Sequence, residues 1–205
     1  MSIRGEDTMS EPAKRRRRAP EEARREAIAS ARRLLIEQGP TAVTLKSVGD
    51  EIGVTHANLI HHFGSAAGLQ SALMESMVRD LATALDAAVV ELRSDAGAPR
   101  TLIDAVFDAF DQGGAGRLAA WIALSGDLQH LEPVRAAVQD LVQAICDKFA
   151  AEGEQTHARV TSAVLFIALC AFGDAVIGAP LRDMLDRDQD AARKIVARLL
   201  PSFLF

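Results

Sequence analysis

Histidine is the residue type in this chain with the widest chemistry, and it is unevenly spread: His56, His61 and His62 fall within seven residues, whereas His130 and His157 stand apart. An imidazole can ligate a metal, carry a proton or meet a phosphate, so its neighbours decide which. His61 and His62 are adjacent, and adjacent helical residues point about 100° apart, with no cysteine or carboxylate at ligand spacing. They do not form a metal pair. Asp127 and His130, three apart, have the spacing of one, but a second such pair is missing and a polar pocket lining is the simpler expectation. Asp186-x-Asp188-x-Asp190 opens like a calcium loop, yet Ala191 replaces the required glycine and Ala197 the chelating glutamate. No glycine-rich phosphate loop or nucleophile elbow occurs. The expectation is no catalytic residue, no metal site and no cofactor, and an enzyme is disfavoured.

What remains is the chemistry of cations against a polyanion. Residues 1–63 carry 11 Lys and Arg against 9 acids, including the run Lys14-Arg15-Arg16-Arg17-Arg18, whereas residues 64–205 carry 12 against 19. A basic tip on an acidic body suits approach to phosphates, because charge acts locally, over a screening length of about 8–10 Å. A membrane surface would ask for the same tip. The run itself buries no apolar area and reads as a disordered basic tail, residues 1–19.

The elements that must position these groups are helical. The composition is 49% hydrophobic and 4% aromatic, without tyrosine, and Ala and Leu dominate. Helix one runs from Glu21, with Ala27, Ile28, Ala31, Leu34 and Leu35 on one face, to Gly39-Pro40. Thr44 caps a short second helix that ends at Gly53, where positive φ is needed, and Thr55 caps a third, His56 to Phe63. A long fourth helix follows from Ser65 to about Arg93. Further helices are expected at about 100–111, 117–129, 133–152, 156–178 and 189–203, the break after 178 being marked by Gly178-Ala179-Pro180. No strand pattern competes. Cys146 and Cys170 lie in apolar helical stretches and read as reduced core thiols; with no signal-peptide pattern and no uninterrupted apolar run of membrane-spanning length, the expected compartment is the cytoplasm.

A capped helix, a glycine turn and a second short helix form a helix-turn-helix, whose second helix is sized for the major groove, roughly 12 Å wide. The segment TLKSVGDEIGVTHANLIHHFGSAAGL, Thr44 to Leu69, resembles the DNA-binding segment of the TetR family of transcriptional repressors. The resemblance implies an all-α dimer: a three-helix helix-turn-helix DNA-binding domain, residues 20–65, followed by a larger helical domain, residues 66–205, for ligand binding and dimerisation. It implies that Thr44 and Thr55 face phosphates at the two helix N-termini, and that Lys46 meets a base or phosphate. His56, Ala57, Asn58 and His61 then take recognition-helix positions, and His62 a phosphate position. Imidazoles titrate near pH 6.5 in model compounds, so histidine contacts to a polyanion would tighten binding as pH falls. Ile60 departs from the family's usual aromatic, and Ala66-Ala67 from a Lys-Glu pair, which removes one phosphate contact.

The resemblance also implies a small-molecule inducer of unreadable identity. Phe107, Phe110, Trp121 and Phe149, with Ser125, Gln129 and His130 between them, suit a largely apolar ligand anchored by few polar groups. The segment Val160 to Gly178 is apolar almost all round and needs cover on every side. A dimer seam through Ala163, Ile167, Ala171 and Gly178 is the expectation, with help from 189–203. The chain therefore reads as a cytoplasmic repressor with three partners, namely double-stranded operator DNA, an inducer and a second copy of itself, and no membrane. The rival is a helical ligand-binding or metal-dependent enzyme with an incidental basic tip.

Overall fold

The computed structural model describes residues 20–92, 97–126, 130–149 and 156–204, and all regular structure in them is helical. The arginine run and Gln129 lie outside the described residues, as does Asp127. Helix α1 (Pro20–Gln38) opens on a proline, whose fixed φ and missing N–H suit the first helical position, and Glu21 and Glu22 oppose the helix dipole there. A 3-10 turn (Pro40–Ala42) leads to α2 (Leu45–Ile52), α3 (His56–Phe63) and α4 (Ala66–Glu91). The body adds α5 (Ala98–Phe110), α6 (Ala115–Ser125), α7 (Glu132–Lys148), α8 (Thr156–Gly173), α9 (Ala179–Met184) and α10 (Ala191–Leu204).

Two apolar cores organise these helices. The first gathers Leu35 from α1, Val48 from α2, Leu59 from α3 and Leu69 and Leu73 from α4, all essentially without solvent contact. Each such side chain contributes about 1.5–3 kcal/mol by leaving water, so five of them hold the small head together despite two eight-residue helices. The second core joins the far end of α4 (Leu85, Val89) to α5, α7, α8 and α10. One helix therefore crosses both: α4 is 26 residues, about 39 Å, of continuous rod. A second link was not legible in the sequence. Ala115, Leu118 and Ile122 of α6 pack into the head's core, while Phe110, at the end of α5, packs against both cores.

Two expectations are corrected. The chain does not break at Gly178-Ala179-Pro180: α8 passes through a π turn (Asp174–Gly178) directly into α9. Pro180 brings no N–H and its ring crowds the carbonyl four residues back, and the wider π turn accommodates both. Arg182 pairs with Asp174 across Gly178, where any Cβ would collide with that ion pair. The residues expected at a dimer seam do not face outward. Ala163, Ile167, Ala171 and Gly178 are buried in the chain's own core, and it is Leu165, Leu169 and Val176 that stand 62%, 61% and 46% exposed. In a helix apolar all round, composition shows two candidate faces; the small residues face inward because they let α8 approach its neighbours closely.

Candidate nucleic-acid interface and body cavity

The head's local structure follows from short-range hydrogen bonds. Thr44 Oγ1 accepts from the Ser47 N–H at 3.0 Å, Thr55 Oγ1 from the Asn58 N–H at 3.3 Å and Ser65 Oγ from the Gly68 N–H at 3.0 Å, so α2, α3 and α4 each begin on a side-chain cap. Gly53 closes α2 at φ 68°, ψ 36°, the left-handed conformation that lets α3 depart at once. Only Leu59 and Phe63 of α3 turn inward. Thr55, His56, Ala57, Asn58 and His61 are all exposed, with Ala57 and His61 one turn apart on the same face. Lys46 is exposed in the first turn of α2, while Thr44 is half-buried behind its cap. The free N-terminal turn of α3 thus presents backbone N–H groups, two imidazoles and an amide to whatever approaches, the donor set that phosphates and base edges accept.

Other residues hold that turn in place and were not anticipated. Arg24 of α1 lays its guanidinium over the Phe63 ring, 5.0 Å from the centroid, and donates to the His62 carbonyl at 3.2 Å, satisfying a backbone oxygen at the end of α3. His62 is half-buried, its ring against His61 and Phe63 at centroid distances of 5.7 and 6.2 Å. Gln70 of α4 donates to the Val43 carbonyl at 3.1 Å, and Ser71 donates to the His130 carbonyl, tying the root of α4 to the start of α7. An arginine in α1 carries no signal in the sequence of where the end of α3 will lie.

The α1–α2 joint is electrostatic. Ser30, fully buried, donates to Glu51 at 2.6 Å, and Arg33 reaches the other carboxylate oxygen through Nε at 2.9 Å and Nη2 at 2.6 Å. The Ser30 hydroxyl first, and then Arg33, hold the Glu51 carboxyl below its ordinary value of 4.5. A carboxyl lowered in the folded state stabilises it above the unfolded value and loses that contribution as pH falls through the folded one. Wild type is therefore expected to lose melting temperature between about pH 5 and pH 3 more steeply than Glu51→Gln, which should cost about 1 kcal/mol at neutral pH. Circular-dichroism melts across that range check it; parallel curves would refute it.

In the body, helices α4, α5, α7, α8 and α10 line a partly open cavity of about 160 Å³. Of the seven residues expected around a ligand, Phe110 lines it. Phe107 and Phe149 are buried in the surrounding core, Phe107 beneath the Arg193 guanidinium at 5.5 Å. Trp121 is 37% exposed. Ser125 and His130 are exposed at the rim of a crevice of about 10 Å³ shared with Gln70 and Ser71, room for one water at most. The structure does not bring the described polar and aromatic candidates together. Two of the three carboxylates at 186–190 are occupied otherwise: Asp188 pairs with Lys194 at 3.0 Å and Asp190 with Arg100 at 3.1 Å. Among the described residues no cluster of His, Cys, Asp or Glu is disposed to hold a metal.

Residues 27–73 match the family model described as bacterial regulatory proteins, tetR family. A curated relative, the HTH-type transcriptional regulator BetI of Rhizobium meliloti (strain 1021), is 33% identical over 119 residues, which span 56% of this chain and 57% of the relative, little more than half its length. Among solved structures, the multidrug binding protein EbrR complexed with ethidium superposes with a TM-score of 0.62 at 18% identity, over 87% of this chain and 98% of that one. A Saccharomonospora viridis protein in complex with choline gives 0.56 at 17%, over 88% and 96%. At these identities the superpositions establish the fold.

Proposed function

Because the chain belongs to the TetR family of transcriptional regulators, we propose that it is a homodimeric repressor that occupies a pseudo-palindromic operator and releases it when a small molecule fills the body. The observation that carries this reading is the N-terminal turn of α3, exposed from Thr55 to Asn58 and again at His61, on a helix anchored by two buried side chains and Arg24. Residues 20–65 serve as the reading head and 66–205 as the ligand and dimer body, in the cytoplasm where the chromosome lies. The neighbours that hold ethidium and choline support a small-molecule role for the body.

Occlusion of a promoter needs two heads about 34–36 Å apart, and a ligand need only favour a geometry with a different spacing. The two links between the cores supply the coupling: α4 is continuous through both, and α6 roots in the head while Phe110 touches both cores and the cavity. Support for the dimer comes from the outward stripe Leu165, Leu169 and Val176, beside Ile195 and Leu199 of α10, the two helices being joined by the Phe166–Phe203 stack at 4.8 Å. The helix Thr156–Met184 is long and apolar enough to cross a membrane by length and composition. Asp174 and Arg182 within it and its core-facing side favour a protein partner instead.

The test is fluorescence anisotropy with duplexes from the intergenic DNA beside the protein's own gene. Binding is expected to weaken steeply with salt, by a log–log slope of about 0.9 per phosphate neutralised, and to tighten from about pH 8 to pH 6, since neutral imidazoles brought beside a polyanion take up protons on binding. His62→Gln should flatten the pH dependence and leave most of the salt slope. Affinity indifferent to salt, or a pH profile identical in the variant, would contradict the assignment of these roles.

A further inference from the structure

The cavity's lining restricts what can occupy it. Among the described residues seventeen side chains line it, from Val78 to Leu200, and none of these carries a nitrogen, oxygen or sulfur atom. The backbone around them is helical, with its polar groups engaged within the helices. Water needs two to four polar partners to be held in such a space, and these side chains offer none. Aliphatic cavities of about 150 Å³ elsewhere remain dry and accept benzene or xenon, and this one measures about 160 Å³. A void in a packed core forfeits dispersion contacts, which an occupant of fitting shape restores without any hydrogen bond.

Charge is excluded by the same lining. A quaternary ammonium ion is held by a cage of several aromatic faces or by a carboxylate, and among the seventeen Phe110 is the single aromatic and none is an acid. A carboxylate or phosphate would find no cation, hydroxyl or free N–H. An ion left unpaired in hydrocarbon costs far more than apolar contact returns. The larger concavity of about 610 Å³ along α8, α9 and α10 differs in its lining, since Arg182 and Arg187 lie along it.

We infer that the body cavity takes a compact, uncharged, hydrocarbon-like molecule of about benzene size and refuses organic cations and anions. This rests on the ligand-responsive reading of the body and specifies its ligand class. The test uses the full chain, methyl-labelled at isoleucine and valine, titrated in parallel with benzene and with choline chloride and followed by NMR at Val106, Ile145 and Ile167. Benzene is expected to give saturable shifts at these methyls, and choline none at equal concentration. Ala163→Leu, which fills the cavity from α8, should weaken benzene at least about tenfold; Ala168→Leu, on the less buried part of the same wall, serves where the first fails to fold. Saturable choline shifts, unmoved methyls with benzene, or benzene binding undiminished in the folded filled variants would each overturn the assignment. Operator affinity is measured on the same samples. Benzene that saturates the cavity without altering it upholds the ligand class and counts against the inducer role alone.

Discussion

Leu169→Glu is expected to yield a folded chain that sediments as a monomer and binds operator DNA at least about a hundredfold more weakly than wild type. Leu169 is 61% exposed in the single chain, so a carboxylate there meets water and changes folding stability by no more than about 0.5 kcal/mol. Across a two-fold seam the same residue approaches its own copy or the copy's apolar stripe, and a desolvated charge without a partner costs several kcal/mol. The loss at the operator follows from avidity, because two linked heads gain about 10²- to 10⁴-fold over one. Ala171→Glu is the informative contrast. With no exposure at all, Ala171 leaves a carboxylate nowhere to go but the core, so that variant should unfold rather than dissociate. Sedimentation and melting of the pair separate the cases; a Leu169→Glu protein that remains dimeric would place the seam elsewhere.

Gly68→Ala is expected to lower the melting temperature and to weaken operator binding by at least about tenfold, although the residue has no side chain to offer DNA. Its Cβ would overlap the carbonyl oxygen of Phe63, the last residue of α3, and lie 3.1 Å from the carbonyl carbon. A backbone oxygen cannot swing aside as a side chain can, so either α3 tilts against α4 or the first turn of α4 unwinds and loses its Ser65 cap. Overpacking of this kind costs about 1–3 kcal/mol and the cap about 1 more, within what a small domain survives. The reading head would stay folded but mis-aimed. Melting curves and operator titrations on one preparation check both effects, and a variant unchanged in both would show that the junction has slack.

The helices and the reading head were legible because local chemistry dictates them. Thr44, Thr55 and Ser65 cap, Gly53 turns with positive φ, and the apolar spacing along 45–63 leaves one side of each short helix outward, so the exposure of Lys46, His56, Asn58 and His61 needed no tertiary information. Arg24 behind α3 and the Ser30–Arg33–Glu51 joint were not legible: they join residues 18 to 39 positions apart through space, and no periodicity reports which exposed arginine will meet which carbonyl or carboxylate.

The body shows the opposite balance. Its sequence determined that α8 is apolar all round and must be covered, but a stripe of Ala163, Ile167 and Ala171 and a stripe of Leu165, Leu169 and Val176 satisfy the same helical period. Only the packing of α8 against its neighbours decided that the first is core and the second outward, because ridge-into-groove contact with α5, α7 and α10 fixes which side of the helix faces in. The ligand site divides the same way. Polar and aromatic residues interleaved along α5 to α7 suggested an anchored ligand, yet a cavity is made of what several helices leave unfilled where they meet. Five helices that share no local signal line a space with no polar atom in its described side chains, and of the described candidates Phe110 alone faces it.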